Sequence, residues 1–420
     1  MINRKKEPAF SLVENIQLVT PQILDVSSKV KLFWMKEVPN DTACLVLFFD
    51  AGSRLGGKEI PSLVNNLLFS GTQNSTSTEI HEKIDALGGY IDTNFTTEHA
   101  SVSIYCLREY LIPIARIVHD AIENVAFHET EITDLVNSTK QRILVSQQKV
   151  GYLSQVAFKK ALFQSHPNYA YTTQISDLEA INTNELKLFL RNQYLNGLTK
   201  MHVVGNFESD QVDELIDLFG KWAAESRMPF DKNFESHPQR IDVSKPDSVQ
   251  ASIKIGCLLF NRTHPDYIDF IVLNTLLGDY FGSRLMSNIR EDKGYTYGIG
   301  SNLMEMNQFG FFIISTEVRK EVVEDTLQEI KKEIEKLQNE LVESEELELV
   351  KNYILGQILK AADGPFSMLS LYANVEKYGL DVSYYQNLLK QVKEINSKRI
   401  QELANKYLQW KDLLIVTAGK

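Results

Sequence analysis

The sequence predicts an α+β protein made of two homologous α/β units, each a mostly antiparallel sheet packed on one side by helices. Three observations carry this prediction. A chain of 420 residues with 43% hydrophobic content can bury more than one core. A unit recurs: "INTNELKLFLRNQYL" from Ile181, followed by "MHVVG", resembles "INSKRIQELANKYL" from Ile395, followed by "LLIVTAG". Each copy reads as a capped amphipathic helix that ends in Tyr-Leu, then a strand that ends at glycine, with Thr183 and Ser397 as the expected caps. Finally, "LVNNLLFSG" from Leu63 echoes "VLNTLLGDY" from Val272, and each follows an apolar, strand-like run.

The elements follow in order. "CLVLFFDAG" is the first strong strand. "STSTEIHEKIDALGGYIDTNF" contains a capping box from Thr76 to Glu79, an amphipathic helix and a Gly-Gly stop, and "HASVSIYCL" then alternates as a strand. Residues 225–248 are polar, carry three prolines and have no period, as a linker does. The expected boundaries are residues 1–228 for the first unit, 229–248 for the linker and 249–420 for the second unit. In the second unit "SIKIGCLLF" is the counterpart of the first strong strand. Further on, Val323, Leu327, Ile330, Ile334, Leu337 and Leu341 form one apolar stripe on a helix whose Glu and Lys residues read as its solvated face.

A net charge of −11 argues against a nucleic-acid surface, which needs a basic excess or stripe. Cys44, Cys106 and Cys257 are scattered in apolar runs and read as small buried hydrophobes in a reduced compartment. The amino terminus has no apolar stretch of secretory length, and no segment approaches a membrane span. The expected location is the cytoplasm; a periplasmic one would require a signal that has been removed.

The stretch "SLVNNLLFSGT", residues 62–72, carries the functional question. With the "STSTEIHEKIDALGGYIDTNFTTEHASVSIY" that follows, it resembles the pitrilysin and insulinase class of zinc metallopeptidases, which includes the mitochondrial processing peptidase. That class places H-x-x-E-H on a helix ahead of an F-x-G-T turn, and the resemblance continues through both units to Gly419. It implies that the two units form half of a clamshell. Laid on the motif, the two zinc histidines fall on Ser62 and Asn66, and the catalytic glutamate falls on Asn65. The chemistry needs imidazoles at i and i+4 for the metal, with a carboxylate between them as base. A hydroxyl and two amides supply neither, so no metal or cofactor is expected in this chain. The resemblance sets the third ligand near Lys140, Gln141 or Arg142, and no acid lies between Asp134 and Lys149. None of the eight histidines forms H-x-H or H-x-x-x-H or adjoins a cysteine. Glu98 and His99 are adjacent, but neighbours in a strand point to opposite faces.

The second unit keeps more of the pattern. "LNTLLGDYFGSRLMSNIREDKGYTYGIGS", from Leu273, resembles the class's second-domain signature, a helix ending in Arg-Glu-x-x-Gly with a tyrosine that starts a strand. The resemblance implies that Arg290 and Tyr297 steady the scissile carbonyl, that Gly294 makes the turn between them, and that Tyr295, two residues away on the same strand face, can replace Tyr297. The plainer reading is that Arg290 caps its helix or pairs with an acid, and that Tyr297 is an ordinary strand residue. In two-chain members of the class one chain carries zinc, and the other contributes only the Arg and Tyr. The resemblance thus implies a non-catalytic subunit, inactive alone, that works with a homologous zinc-binding subunit on an extended peptide held at a sheet edge. The alternative is a peptide-binding or structural homodimer without peptidase activity.

Overall fold

The computed structural model describes residues 18–420 except residues 37, 58, 226–228 and 231–232. The first half builds its sheet from β1 (Gln22–Asp25), β2 (Lys31–Met35), β3 (Thr42–Phe49), β4 (Tyr90–Phe95), β5 (Ala100–Leu107) and β6 (Leu198–Val204). Its helices are α1 (Ile60–Leu67), α2 (Ser77–Ala86), α3 (Leu111–Glu123), α4 (Glu129–Ser146), α5 (Val150–Leu162), α6 (Pro167–Ala170), α7 (Ile175–Glu179), α8 (Thr183–Gln193) and α9 (Ser209–Phe219). The second half has β7 (Arg240–Val243), β8 (Gln250–Leu259), β9 (Ile299–Glu305), β10 (Gly310–Arg319) and β11 (Leu414–Ala418). Its helices are α10 (Tyr267–Leu277), α11 (Val323–Asn339), α12 (Ser344–Ala361), α13 (Pro365–Glu376), α14 (Ser383–Glu394) and α15 (Ser397–Tyr407).

The strand orders are β1-β2-β6-β3-β5-β4 and β7-β11-β8-β10-β9. Without β1 they correspond strand for strand, and in each sheet one pair is parallel, β2 with β6 and β7 with β11, among antiparallel neighbours. The repeated unit is α8-β6 in one half and α15-β11 in the other. Its helix caps lie one residue before the expected Thr183 and Ser397. Asn182 Oδ1 accepts from the Asn184 N–H and Asn396 Oδ1 from the Arg399 N–H, because asparagine caps at least as well as serine or threonine. The Thr76–Glu79 capping box forms as the sequence predicts. Of the α11 stripe, Leu341 departs: the helix has ended at Asn339, and Leu341 is exposed. Strand β7 lies within the segment read as a linker.

The central strands are apolar on both faces, which a sheet tolerates only when both faces are covered. Ala43, Leu45, Leu47 and Phe49 of β3 point into the main first-half core among α1, α3 and α8. Cys44 and Val46 point the other way and meet Leu369 and Phe366 of α13, a helix of the second half. The converse holds on the second sheet, where Phe158 and Leu162 of α5 pack with Phe311, Ile313, Leu414 and Val416. Each half therefore lends a helix to the other half's sheet, in addition to the helices that pack each sheet's inner face. Polar contacts follow the same seam: the Asn307 N–H donates to Glu98 at 2.8 Å, and Lys200 pairs with Glu376. The three thiols are unpaired, and burial pushes each of them up to about 12, as expected of small packed hydrophobes.

Candidate functional site

Helix α1 begins with Pro61 in its first turn and buries Leu63, Val64 and Leu67. Asn65 shares that buried side, only 4% exposed, and its Nδ2 donates to the Tyr194 hydroxyl at 3.1 Å. Asn66 lies on the exposed side, where its Nδ2 donates to the Ser62 carbonyl at 2.7 Å. Both amides are thus committed, one to the core and one to its own helix, and neither they nor Ser62 offers the nitrogen donors or the base that zinc hydrolysis needs. These residues do not fit zinc. Among the described residues no group of three or more His, Cys, Asp or Glu is arranged to hold a metal ion.

A cleft of about 580 Å³ opens beside Asn65 and Asn66, between α1, α2, β4 and α4. Its wall carries three acidic side chains, Asp92 from β4 and Glu131 and Asp134 from α4, together with His81 of α2. The α4 residues that face it, Glu131, Asp134, Leu135 and Ser138, sit at i, i+3, i+4 and i+7 on one helical face. Of the stretch on which the resemblance sets the third ligand, Lys140 pairs with Glu179 at 3.4 Å, and Arg142 lines a separate cavity beside α5. No sequence signal marks Tyr194 as the partner of Asn65, since a contact across 129 residues leaves no local pattern. Among the described residues, the two non-glycine residues with positive φ, Glu59 at 63° and Phe127 at 51°, stand just ahead of α1 and α4.

Glu98 and His99 sit in the β4–β5 turn rather than in a strand, so both border a single cavity of about 300 Å³. Glu98 accepts from the Tyr169 hydroxyl at 2.9 Å, and burial raises its pKa. Burial, helped by Lys377 and Lys200, lowers the pKa of His99 to about 4. In the unfolded chain this imidazole titrates near 6.5, so between pH 6.5 and pH 4 the unfolded state binds more protons and stability rises with pH. The expected result is a loss on the order of 3 kcal/mol as pH falls through that window. Urea midpoints at pH 7 and pH 4 check it, and in His99→Gln this part of the slope disappears.

Arg290 and Tyr297 lie in the second half, away from the cleft, whose wall comes wholly from first-half residues. Residues Met286–Asp292 form a wide π-helical turn, a geometry frequent at functional sites. Ile289 anchors this turn in the core and Asn288 ties it to α11, its Nδ2 donating to Glu333 at 2.6 Å. Gly294, at φ 63°, then reverses the chain, a conformation that favours glycine. Strand β9 starts only at Ile299, so neither Tyr295 nor Tyr297 is a strand residue and the two do not share a strand face. Tyr295 packs against the second-half core, whereas Tyr297 is 94% exposed. The Arg290 guanidinium lies 4.6 Å above the ring of Phe281, itself an exposed residue. Arg290 lies in the last turn of this helix, as the plainer reading has it, and among the described residues its side chain makes no ion pair.

Comparison with known proteins decides the family. Residues 33–171 match the model of insulinase, peptidase family M16, and residues 180–354 match that of the peptidase M16 inactive domain. The chain belongs to peptidase family M16. Among M16 relatives it is 22% identical to the "uncharacterized zinc protease YmxG" of Bacillus subtilis, over 85% of this chain and 88% of that one. It is also 22% identical to the "non-peptidase homolog YmxG" of Helicobacter pylori, over 87% of this chain and 86% of that one. In fold it is similar to a peptidase M16 inactive domain from Pseudomonas fluorescens, with a TM-score of 0.86 at 23% identity over 96% of this chain and 98% of that one. A protease from Helicobacter pylori superposes with a TM-score of 0.83 at 16% identity, over 96% of this chain and all of that one. No helix among the described residues is long and apolar enough to cross a membrane.

Proposed function

We propose that this M16 chain is the non-catalytic subunit of a two-chain zinc peptidase. A homologous subunit with an intact H-x-x-E-H motif supplies the zinc and the base. This chain closes the chamber, binds an extended peptide and offers Arg290 and Tyr297 to the partner's site. Residues 1–228 form the unit with the degenerate motif, and residues 249–420 the unit that reaches across. The observation that supports this reading is the placement of Arg290 in a well-anchored π-helical turn, its guanidinium stacked on the exposed Phe281 and, among the described residues, in no ion pair, with Tyr297 94% exposed a few residues on. Guanidinium and phenol donors aimed where an oxyanion develops stabilise the tetrahedral state. Three unpaired thiols fit a reducing cytoplasm.

The test is to assay this chain, a homologous chain with an intact motif, and their mixture against a fluorogenic peptide. Turnover well above the zinc chain's own rate, found only in the mixture, is the expected result. A mixture no faster than the zinc chain alone would sink the proposal. One observation favours the second reading, a peptide-binding homodimer: β4 pairs only with β5, so its free edge borders the acidic cleft and can take an added strand without any chemistry. Saturable peptide binding by a dimer that no zinc chain stimulates would select that reading.

A further inference from the structure

Several arginines of the second half are ordered by acids. Arg284 is clamped by both oxygens of Glu346, at 2.8 and 2.7 Å, Arg262 by Glu305, and Arg399 by Asp266 and Asp269 at 2.7 Å each. Arg290, shortly after Arg284 in the chain, is held differently. Glu291 and Asp292 follow it directly, yet among the described residues it pairs with neither, and its guanidinium rests on the Phe281 ring. The two ways of ordering an arginine differ in what they leave available. A carboxylate neutralises the charge and occupies N–H donors, whereas a ring attracts the cation through its face and leaves the donor edge free for another acceptor.

Phe281 is built as a platform for this purpose. It is 63% exposed, so its ring adds little to the core. The turn that carries it is fixed on both sides. Before it, Gly278 lies so close to β9 that a Cβ would meet the Ser301 nitrogen at 2.6 Å, and the Gly278 carbonyl accepts the Ser301 N–H at 3.1 Å. Tyr280 packs on the second-half core with its ring 5.1 Å from that of Tyr353 in α12. After it, Ser283 is buried. Ring and guanidinium are thus brought together by two turns that are anchored independently, since Ile289 and Asn288 secure the other.

We infer that Phe281 is a positioning residue, whose ring holds the Arg290 guanidinium in one orientation with its charge and N–H donors free for the carbonyl oxygen of a bound peptide. The inference rests on the proposed role of Arg290 for what those donors meet. The holding itself is a property of the isolated chain, so its test and that of the two-chain reading give separate results.

Phenylglyoxal modifies arginines, and mass spectrometry of the digested chain follows Arg290 by itself. In the isolated chain Phe281→Ala is expected to speed this modification about threefold or more, and Phe281→Tyr to leave it unchanged, with the melting curves alike. In the mixed peptidase Phe281→Ala is expected to lower kcat about tenfold with little change in KM, and Phe281→Tyr to keep the full rate. Phe281→Leu, which keeps apolar bulk without the negative face of a ring, should be as slow as Phe281→Ala. In the Arg290→Ala background Phe281→Ala should add nothing, because the ring acts only through that guanidinium. An unchanged modification rate in Phe281→Ala would overturn the inference, and so would a full additional loss of kcat in the Arg290→Ala background. A mixture without turnover removes the two-chain reading, and the modification rates then decide this inference by themselves.

Discussion

Arg290→Ala in this chain is expected to lower kcat of the mixed peptidase about 10²–10³-fold, the range found when a single oxyanion donor is removed. KM should change little, because the donor acts on charge that develops only in the transition state. Such a loss would not come from unfolding. Among the described residues Arg290 carries no ion pair whose loss would unsettle the fold, and the turn beneath it is held by Ile289 in the core and by Asn288 on Glu333. Arg290→Lys should recover only part of the rate, since an ammonium lacks the planar fork and stacks less well over Phe281. Tyr297→Phe removes one phenol donor and should slow the mixture while leaving this chain's thermal stability unchanged, as befits a side chain that is 94% exposed. Full activity with Arg290→Ala would remove the proposed role.

The second large effect concerns the exchange of helices between halves. Phe158 of α5 is 1% exposed and lies in front of Gly256 on β8, where a Cβ would come within 3.0 Å of its ring. Next to it, Ser154 and Ser252 share a hydrogen bond of 2.8 Å between their hydroxyls. Phe158→Ala removes the ring from a closed aromatic cluster and leaves a cavity that a sheet backbone cannot close. The expected cost is about 3–5 kcal/mol. Because α5 belongs to the first half and its socket to the second, urea unfolding should remain one cooperative transition that shifts as a whole. A loss below about 1 kcal/mol would mean that α5 docks without this anchor.

Much of this architecture is legible in the sequence, and the parts that are not share a cause. The two copies of helix, Tyr-Leu and strand place α8-β6 and α15-β11 correctly, because amphipathic period and terminal glycine are local signals. "CLVLFF" announces a strand covered on both faces, but periodicity cannot name the helix that covers the second face, and α13 lies more than three hundred residues away. The sequence reading takes Ser62, Asn65 and Asn66 as changed motif positions. Their present bonds, to Tyr194 and to the helix's own carbonyl, depend on tertiary contacts and side-chain rotamers. The Arg290 turn is legible as a motif, yet not as a π-helical turn, since no residue type marks that widening. Glu98 and His99 mislead for a simple reason: the sequence reads as a strand a few residues too long, so side chains that border the same cavity fall on opposite faces.

The central claim is that a hydroxyl and two committed amides, in the place of two imidazoles and a carboxylate, leave this chain without a zinc centre. Its most direct test is the zinc content of the purified chain after equilibration with micromolar zinc, measured by mass spectrometry of the metal. Far less than one equivalent, unchanged by Asn66→Ala, is the expected result. One tightly held equivalent that Asn66→Ala releases would contradict the claim.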